Sequence, residues 1–494
     1  MILRSILTNC YMKFCFTFLL GLIVTGGMAQ TGTLNGSIEV QGIGATAHNT
    51  PFWFRSNQFG SVPLPGTSAS VIGAIHIDYD TMRSRLIDWG ASLEVRGDMG
   101  EKARATLIEG YVKLRIGVFE LKAGRVKEMM GLVDTALSSG ALAISGNALG
   151  IPKVELSIPN YYQLPWFGDL FAFKGNFSQG WIGEFPNQYG HLTSHANTYF
   201  HQSSLYVRMG RPEWALKLYG GFNHQVMWGD EREVFGPGYN QPGWKTFLYA
   251  VVGKTWHNSK VGNHLGTIDM GFDYDWEDLR LSAYHQFIYD EGGLYHLANI
   301  SDGLSGISLT NKYDEQRVFH WSKVLIEFLY TKNQGGYPSS RYSPSGDENY
   351  YNNYEYAQGW SYKGLGLGTP FISTRTSTRP GLPDDSSDYF NNNRVVAFHL
   401  GLQGAVDKWY FTAKLSYSMN YGTFGTSIYG HSTGRLYVPP KYGIWQEVSQ
   451  LSSFLEVKKE LGGGYTVGCV GALDQGKLLN NSGGVILKLS KTFY

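Results

Sequence analysis

Apolar side chains return at every second position through most of this chain, and that period constrains the fold more than any other feature. In residues 105–118, Ile108, Val112, Leu114, Ile116 and Val118 alternate with Glu109, Tyr111, Lys113 and Arg115. Successive side chains of a strand point to opposite faces, so a period of two makes one face apolar and the other polar. The pattern returns in Val71, Ile75 and Ile77 around His76 and Asp78, in Leu93 and Val95 around Glu94 and Arg96, and in Ile268, Met270 and Phe272 around Asp269 and Asp273. It continues through Trp409, Phe411, Ala413, Leu415 and Tyr417, then Tyr465, Val467 and Cys469, then Val485, Leu487 and Leu489. The chain is therefore expected to be all-β.

The first thirty residues set the compartment. Arg4 and Lys13 precede an apolar run at 14–24, followed by the small residues Gly26, Gly27 and Ala29, which is the layout of a secretory signal peptide. Gly27 and Ala29 fit a small-x-small cleavage site, giving a signal peptide over 1–29 and a mature start at Gln30, with Met1 or Met12 as initiator. Cys10 and Cys15 fall inside this segment, so processing leaves Cys469 and no internal disulfide. After the signal, no stretch approaches the roughly 18 consecutive apolar residues of a spanning helix. An exported chain with this pattern folds as a soluble sandwich or as a membrane barrel.

Composition and aromatic placement favour the barrel. Tyr (33), Phe (27) and Trp (13) stand beside only 16% charged residues. Apolar faces end in Tyr79, Trp214, Tyr274, Trp409 and Tyr465, as girdles at two membrane interfaces require. The last strand runs to Phe493 and Tyr494, similar to the terminal aromatic signal read by the outer-membrane assembly machinery. With 41 basic against 40 acidic residues there is no net basic footprint for nucleic acid. No lasting composition shift marks a linker, so residues 71–494 are expected to form one large closed sheet.

Two regions lack the pattern. Residues 42–65 are rich in Gly, Pro and aromatics, and residues 129–158 hold Asp134, Ser138, Ser139, Gly140, Ser145 and Asn147 around short apolar patches. Both are expected to plug the lumen, with 30–70 an N-terminal plug or periplasmic segment, because a wide barrel otherwise leaves an open channel. Glu94, Arg96, Glu109, Lys113 and Arg115 share the polar faces of neighbouring strands, with Arg125 close by. Facing the lumen they make a charge network, read first as structural ion pairs and second as a path for polysaccharide or ions.

Residues 348–370, ENYYNNYEYAQGWSYKGLGLGTP, and the stretch NNNRVVAFHLGLQG from Asn391 resemble hallmark blocks of the Wzi-like capsule assembly family. TPFWFRSNQFGSVPL, LKAGRVKE, LSSGALAISGNALGIPKVELSIP, HQSSLYVRMG and VGNHLGTIDMGFDY keep the family's order, so the resemblance spans nearly the whole mature chain. It implies an antiparallel transmembrane barrel of about eighteen strands in a Gram-negative outer membrane. It also implies a plugged pore and lectin-like extracellular loops that associate with capsular or exopolysaccharide, without catalysis or cofactor. A related branch is linked to gliding motility. A motility or adhesion-complex protein is thus the alternative, with other export or motility proteins as partners beside outer-membrane lipid, and a porin is the third reading. At the N-terminus a Gly- and Pro-rich stretch stands where the family leads one to expect a helical bundle.

The connection at 331–393 far exceeds the ordinary length of about 4–6 residues. Its candidates for glycan binding are Tyr350, Tyr351, Asn352, Asn353, Tyr354, Tyr356, Trp360 and Tyr362. Aromatic faces pack on the C–H faces of sugar rings, and amides bond to hydroxyls. In the competing reading the same tyrosines pack the loop across the barrel mouth. Gly430, His431, Ser432, Thr433 and Gly434 match G-x-S-x-G, but a nucleophile elbow needs a following helix, and a strand-like run ending in two prolines follows instead. His191, His195 and His201 show no helical pattern that would place the first two on one face and have no Cys nearby, so no metal is expected.

Overall fold

The computed structural model describes residues 34–80, 85–186, 194–257, 259–290, 292–313, 318–336, 346–433 and 436–493; the expected signal peptide lies outside them. Eighteen antiparallel strands form one closed sheet. They are β1 (Leu34–Ala45), β2 (Ser68–Ile77), β3 (Ile87–Met99), β4 (Arg104–Ile116), β5 (Phe119–Arg125), β6 (Lys153–Gln163), β7 (Phe171–Pro186), β8 (His195–Met209) and β9 (Leu216–Trp228). The second half continues with β10 (Asn263–Asp275), β11 (Leu279–Tyr289), β12 (Gly303–Asn311), β13 (Phe319–Tyr330), β14 (Val395–Val406), β15 (Trp409–Asn420), β16 (Val448–Gly462), β17 (Tyr465–Gly476) and β18 (Ser482–Phe493). Each strand pairs with the next, and β18 pairs back onto β1 from Gly36↔Phe493 to Ala45↔Gly484.

The barrel thus begins at Leu34 rather than at residue 71. The segment expected to be a plug or periplasmic piece supplies the closing strand, and only residues 46–67, with the one-turn helix α1 (Phe52–Arg55), turn inward. Its outer face reads Leu34, Gly36, Ile38, Val40, Gly42, Gly44, and the three glycines erase half of the apolar pattern there. A second departure lies on β4, where the register steps from Glu94↔Glu109 to Val95↔Leu107. This bulge makes Ile108 the extra, buried residue and turns Leu107 outward.

Trp214, Tyr274, Trp409, Tyr465 and Phe493 stand exposed on the outer wall at one end, and Trp181, Phe328, Phe398 and Tyr417 at the other, giving two girdles. Tyr79 belongs to neither: its hydroxyl donates to Glu120 at 2.8 Å and its ring lies beside Lys113 and Arg115 in the lumen. The two described chain ends share the first end with the short turns at 117–118, 407–408 and 463–464, whereas connections 46–67, 126–152, 229–262, 331–394 and 421–447 leave from the second. Short turns face the periplasm in such barrels and long loops face outward.

Residues 126–152 descend into the lumen, and inward side chains of the wall satisfy their backbone. The N–H of Leu132 donates to Asp269 (2.7 Å), that of Leu142 to Gln286 (3.1 Å) and that of Ser139 to Glu327 (2.6 Å). His399 Nε2 donates to the Leu137 carbonyl (2.8 Å), and Lys323 pairs with Asp134 (2.7 Å). From the other side the N–H of Phe52 donates to Asp474 (2.7 Å). A loop without its own ladder needs such partners wherever water is excluded.

These face assignments predict opposite responses on neighbouring strands. Leu93→Arg on the outer wall should cost about 2–4 kcal/mol near the bilayer midplane. Lys113→Gln, inward and paired with an exposed Asp78, should cost under about 1 kcal/mol. Urea titration of folding into lipid vesicles measures both, and equal losses would show the faces to be misassigned.

Candidate functional site

Residues 346–394 fold down over the mouth as a lid. Tyr350, Tyr351, Tyr356 and Trp360 are all at most 1% exposed and share an apolar cluster with Leu142, Ile288, Phe371 and Phe390. A buried tyrosine or tryptophan needs a partner for its polar tip, and each has one. The Tyr350 hydroxyl donates to Asp302 (2.8 Å), that of Tyr351 to the Leu142 carbonyl, that of Tyr356 to Glu231 (3.4 Å), and Trp360 Nε1 to the Ala143 carbonyl (2.8 Å). Tyr362 is buried too and accepts from Arg125 (3.2 Å). The lid is thereby fastened to the lumen segment beneath it.

Of the expected stacking residues, only Tyr354 keeps an exposed ring. The other five aromatics offer no free face, because filling a wide mouth demands large side chains whose hydroxyls find acceptors inside. The amides shape the backbone instead. Asn352 Oδ1 accepts from the N–H groups of Tyr389 and Phe390 (3.0 and 2.9 Å), and Asn353 Oδ1 from those of Glu355 and Tyr356 (both 2.9 Å). Asn393 Nδ2 donates to Asn349 Oδ1 (2.7 Å) and to the Tyr350 carbonyl (2.9 Å).

The inward charges along β3–β5 pair among themselves and with the lumen segment. Lys127 meets Glu94 (2.6 Å), Arg96 meets Asp98 (2.7 Å), Arg115 meets Asp88 (3.2 Å) and Lys113 meets Asp78 (3.4 Å). Glu109 accepts from the Ser92 hydroxyl (3.1 Å) and the Lys127 N–H (3.2 Å). Arg125 joins this wall to the lid through Tyr362.

Beside the lid, loop 421–447 carries a group of exposed aromatics, Tyr429, Tyr437 and Tyr442, each more than 40% exposed. Between this loop and the lid runs a polar cleft lined by Asp385, Ser387, His431, Lys441 and Tyr442. Of these residues the sequence singles out only His431, as part of the G-x-S-x-G match, although the loop carries the same Tyr, Gly and Pro mixture as the lid. The Ser432 motif within it lies on a short hairpin, His431–Thr433 against Leu436–Val438.

A family model described as capsule assembly protein Wzi matches residues 48–397. The chain belongs to the Wzi capsule assembly family. Among solved structures it is similar to Wzi of Escherichia coli, described as an outer-membrane protein involved in group 1 capsule assembly and a carbohydrate-binding β-barrel. The two are 14% identical over 92% of this chain and 83% of that one, with a TM-score of 0.51. Also similar are OccAB2 of Acinetobacter baumannii (9% identity, 94% and 98% covered, TM-score 0.45) and OccD3 of Pseudomonas aeruginosa (10%, 94% and 92%, 0.44). No curated protein matches the sequence. At such identities the structural likeness speaks for the fold, and family and closed barrel together make this Wzi-family chain an outer-membrane protein.

Lid and loop 229–262 meet through two acids. Burial pushes the Glu231 carboxyl up to about 8, opposed by the Gly229 N–H and reinforced by Glu355, which burial itself raises to about 7. Both stand above the ordinary value of 4.5, so the folded loops favour the protonated forms. Their stabilisation is complete below about pH 4.5 and is lost as pH rises through 7 to 8. Hydrogen exchange at residues 229–235 and 353–360, corrected for intrinsic rates, should therefore quicken between pH 5 and 8.5, and Glu231→Gln should flatten the response. A flat profile in the unaltered protein would refute this contact.

Proposed function

We propose that this chain binds capsular or exopolysaccharide at the cell surface and holds it there during capsule assembly, without catalysis. The observation that carries this reading is the filled mouth: residues 46–67, 126–152 and the lid occupy the lumen, and exposed Tyr429, Tyr437 and Tyr442 stand on its rim beside the polar cleft. Rings of this kind stack on the C–H faces of sugars, while His431 and Lys441 offer directional partners for hydroxyl or acidic groups. Tyr354 extends the same surface. The carbohydrate binding described for the E. coli protein fits this reading, as would export by the signal peptide expected at 1–29. Within it, Glu94, Glu109 and Arg125 hold the plug and lid, while Arg96, Lys113 and Arg115 pair with the neighbouring acids Asp98, Asp78 and Asp88, so these charges serve structure rather than a path. A closed mouth supports surface retention over solute flux, and a hairpin around Ser432 supports binding over esterase chemistry.

Combined Tyr429→Ala, Tyr437→Ala and Tyr442→Ala should leave a folded, heat-modifiable barrel and shift polysaccharide from cells to medium. Each ring stacked over roughly 50 Å² contributes about 1 kcal/mol, or roughly fivefold in affinity. Comparing cell-bound with shed polysaccharide in the deletion strain, complemented by either form, measures this. Unchanged retention by the variant would remove the rim from the site, and steady conductance of the unaltered protein in planar bilayers would favour a porin.

A further inference from the structure

Loop 229–262 leaves the extracellular end beside the lid, and its later part crosses to the outside of the barrel. On β9, Leu216, Leu218 and Phe222 are exposed on the outer wall, and the same face continues in steps of two to His224, Val226 and Trp228. It continues on β8 from Val207 and Leu205 to His201, and on β10 from Met270 and Ile268 to His264. These upper positions point away from the lumen, yet His201, Val226 and His264 are almost wholly buried. Helix α2 (Glu231–Phe235) leads the loop across to helix α3 (Gly243–Val252), which covers them. The Phe247 ring lies 5.5 Å from Trp228, 5.9 Å from His201 and 6.5 Å from Phe177. Thr246 and Ala250 are buried on the same side. The helix thus seals three polar rings that would otherwise face the bilayer.

Its opposite side is also apolar. Trp244 (68% exposed), Leu248 (47%) and Val252 (69%) recur at every fourth position, making one stripe along a helix. Residues 243–256 contain Lys245 and Lys254 and no carboxylate, and both ammonium groups lie over the Tyr249 ring, at 5.6 and 4.7 Å. Eight residues from Leu216 to His224, at about 3.3 Å each and tilted by about 40°, climb about 20 Å of an apolar belt about 25 Å tall. The helix therefore lies at the belt's outer edge, near the upper girdle: Trp228, which Phe247 meets, lies 5.0 Å from Tyr199, the strand partner of Trp181.

We propose that α3 anchors the barrel in the outer leaflet, with Trp244, Leu248 and Val252 among acyl chains and Lys245 and Lys254 at the phosphates of a phosphorylated lipid of the lipid A class. The stripe is continuous with the lipid-facing wall below it. Flanking lysines with apolar stems and a tryptophan at headgroup depth are what an interfacial helix requires. Surface polysaccharide plays no part in this assignment.

The test uses the full barrel with Cys469→Ser and Leu248→Cys, carrying a fluorophore at position 248, in phosphatidylcholine vesicles with and without lipid A. A bilayer-phase nitroxide should quench this label roughly threefold more than aqueous iodide does. A label at Tyr295→Cys, on a fully exposed loop residue, should show the reverse. After exchange from detergent into phosphatidylcholine, Lys245→Gln with Lys254→Gln should retain roughly threefold less lipid A per barrel at low salt. Iodide-dominated quenching at position 248 in both vesicle types overturns the anchor. So does a label exposed in vesicles but shielded in native envelopes, which would mean that a protein covers the stripe. Unchanged lipid A retention overturns the headgroup contact.

Discussion

The register between β1 and β18 is the contact on which the rest depends. In hydrocarbon an unpaired N–H or C=O has no water to turn to, and the run from Gly36↔Phe493 to Ala45↔Gly484 removes the last free edge of the sheet. Closure at eighteen strands has a price inside: the ring is too wide for wall side chains to fill it. The lumen must then hold water or chain, and here it holds chain.

Filling a polar tube with polypeptide works only if the filler's backbone is satisfied. Residues 126–152 have no ladder of their own, and Asp269, Gln286 and Glu327 on the wall accept their N–H groups. Two of the wall's buried cations are matched in turn: Lys153 sits between Glu128 (2.7 Å) and Glu155 (3.1 Å), and Arg96 against Asp98. Breaking one partner of such a buried pair leaves an uncompensated charge, so wall and filler hold each other in register. The lid completes the stack by placing Tyr351 and Trp360 on the carbonyls of Leu142 and Ala143.

Much of the barrel was legible because period two reports which face of a strand is apolar, and Leu93, Arg96, Ile268 and Leu415 all lie on the side their alternation assigns. Legibility failed where that period is interrupted or mimicked. Gly36, Gly42 and Gly44 hid β1, the bulge at Ile108 shifted parity on β4, and Tyr79 ends an apolar run yet turns into the lumen to meet Glu120. The mouth was harder to read. Composition announces that Tyr and Asn are dense in residues 348–370, but burial depends on whether acceptors such as Asp302 and the Leu142 carbonyl, distant in sequence, wait inside. The fold of α3 onto the outer wall was equally hidden, since covering His201, His224 and His264 is a tertiary event.

The same accounting decides where a soluble ligand can be held. Asp302 already accepts from the N–H groups of Asn333 and Gln334 and from Tyr350, and Glu348 from the N–H groups of Gly292 and Gly293 and from Asn299. The oxygen atoms of Asn352 and Asn353 each take two backbone N–H groups. Groups whose capacity is spent in holding the lid have little left for a sugar, and their rings are covered. Under the proposed reading, recognition belongs to the rim rather than to the most aromatic segment of the sequence, since Tyr437 and Tyr442 are exposed there. The rigidity of the lid serves that rim: a floor fixed by buried hydroxyls holds loop 421–447 at a set height and angle, so a polymer meeting several exposed rings meets them in one arrangement. Pre-positioning of this kind lowers the ordering cost of binding, and under the proposed reading it gives a filled lumen a purpose that a conducting channel would not share.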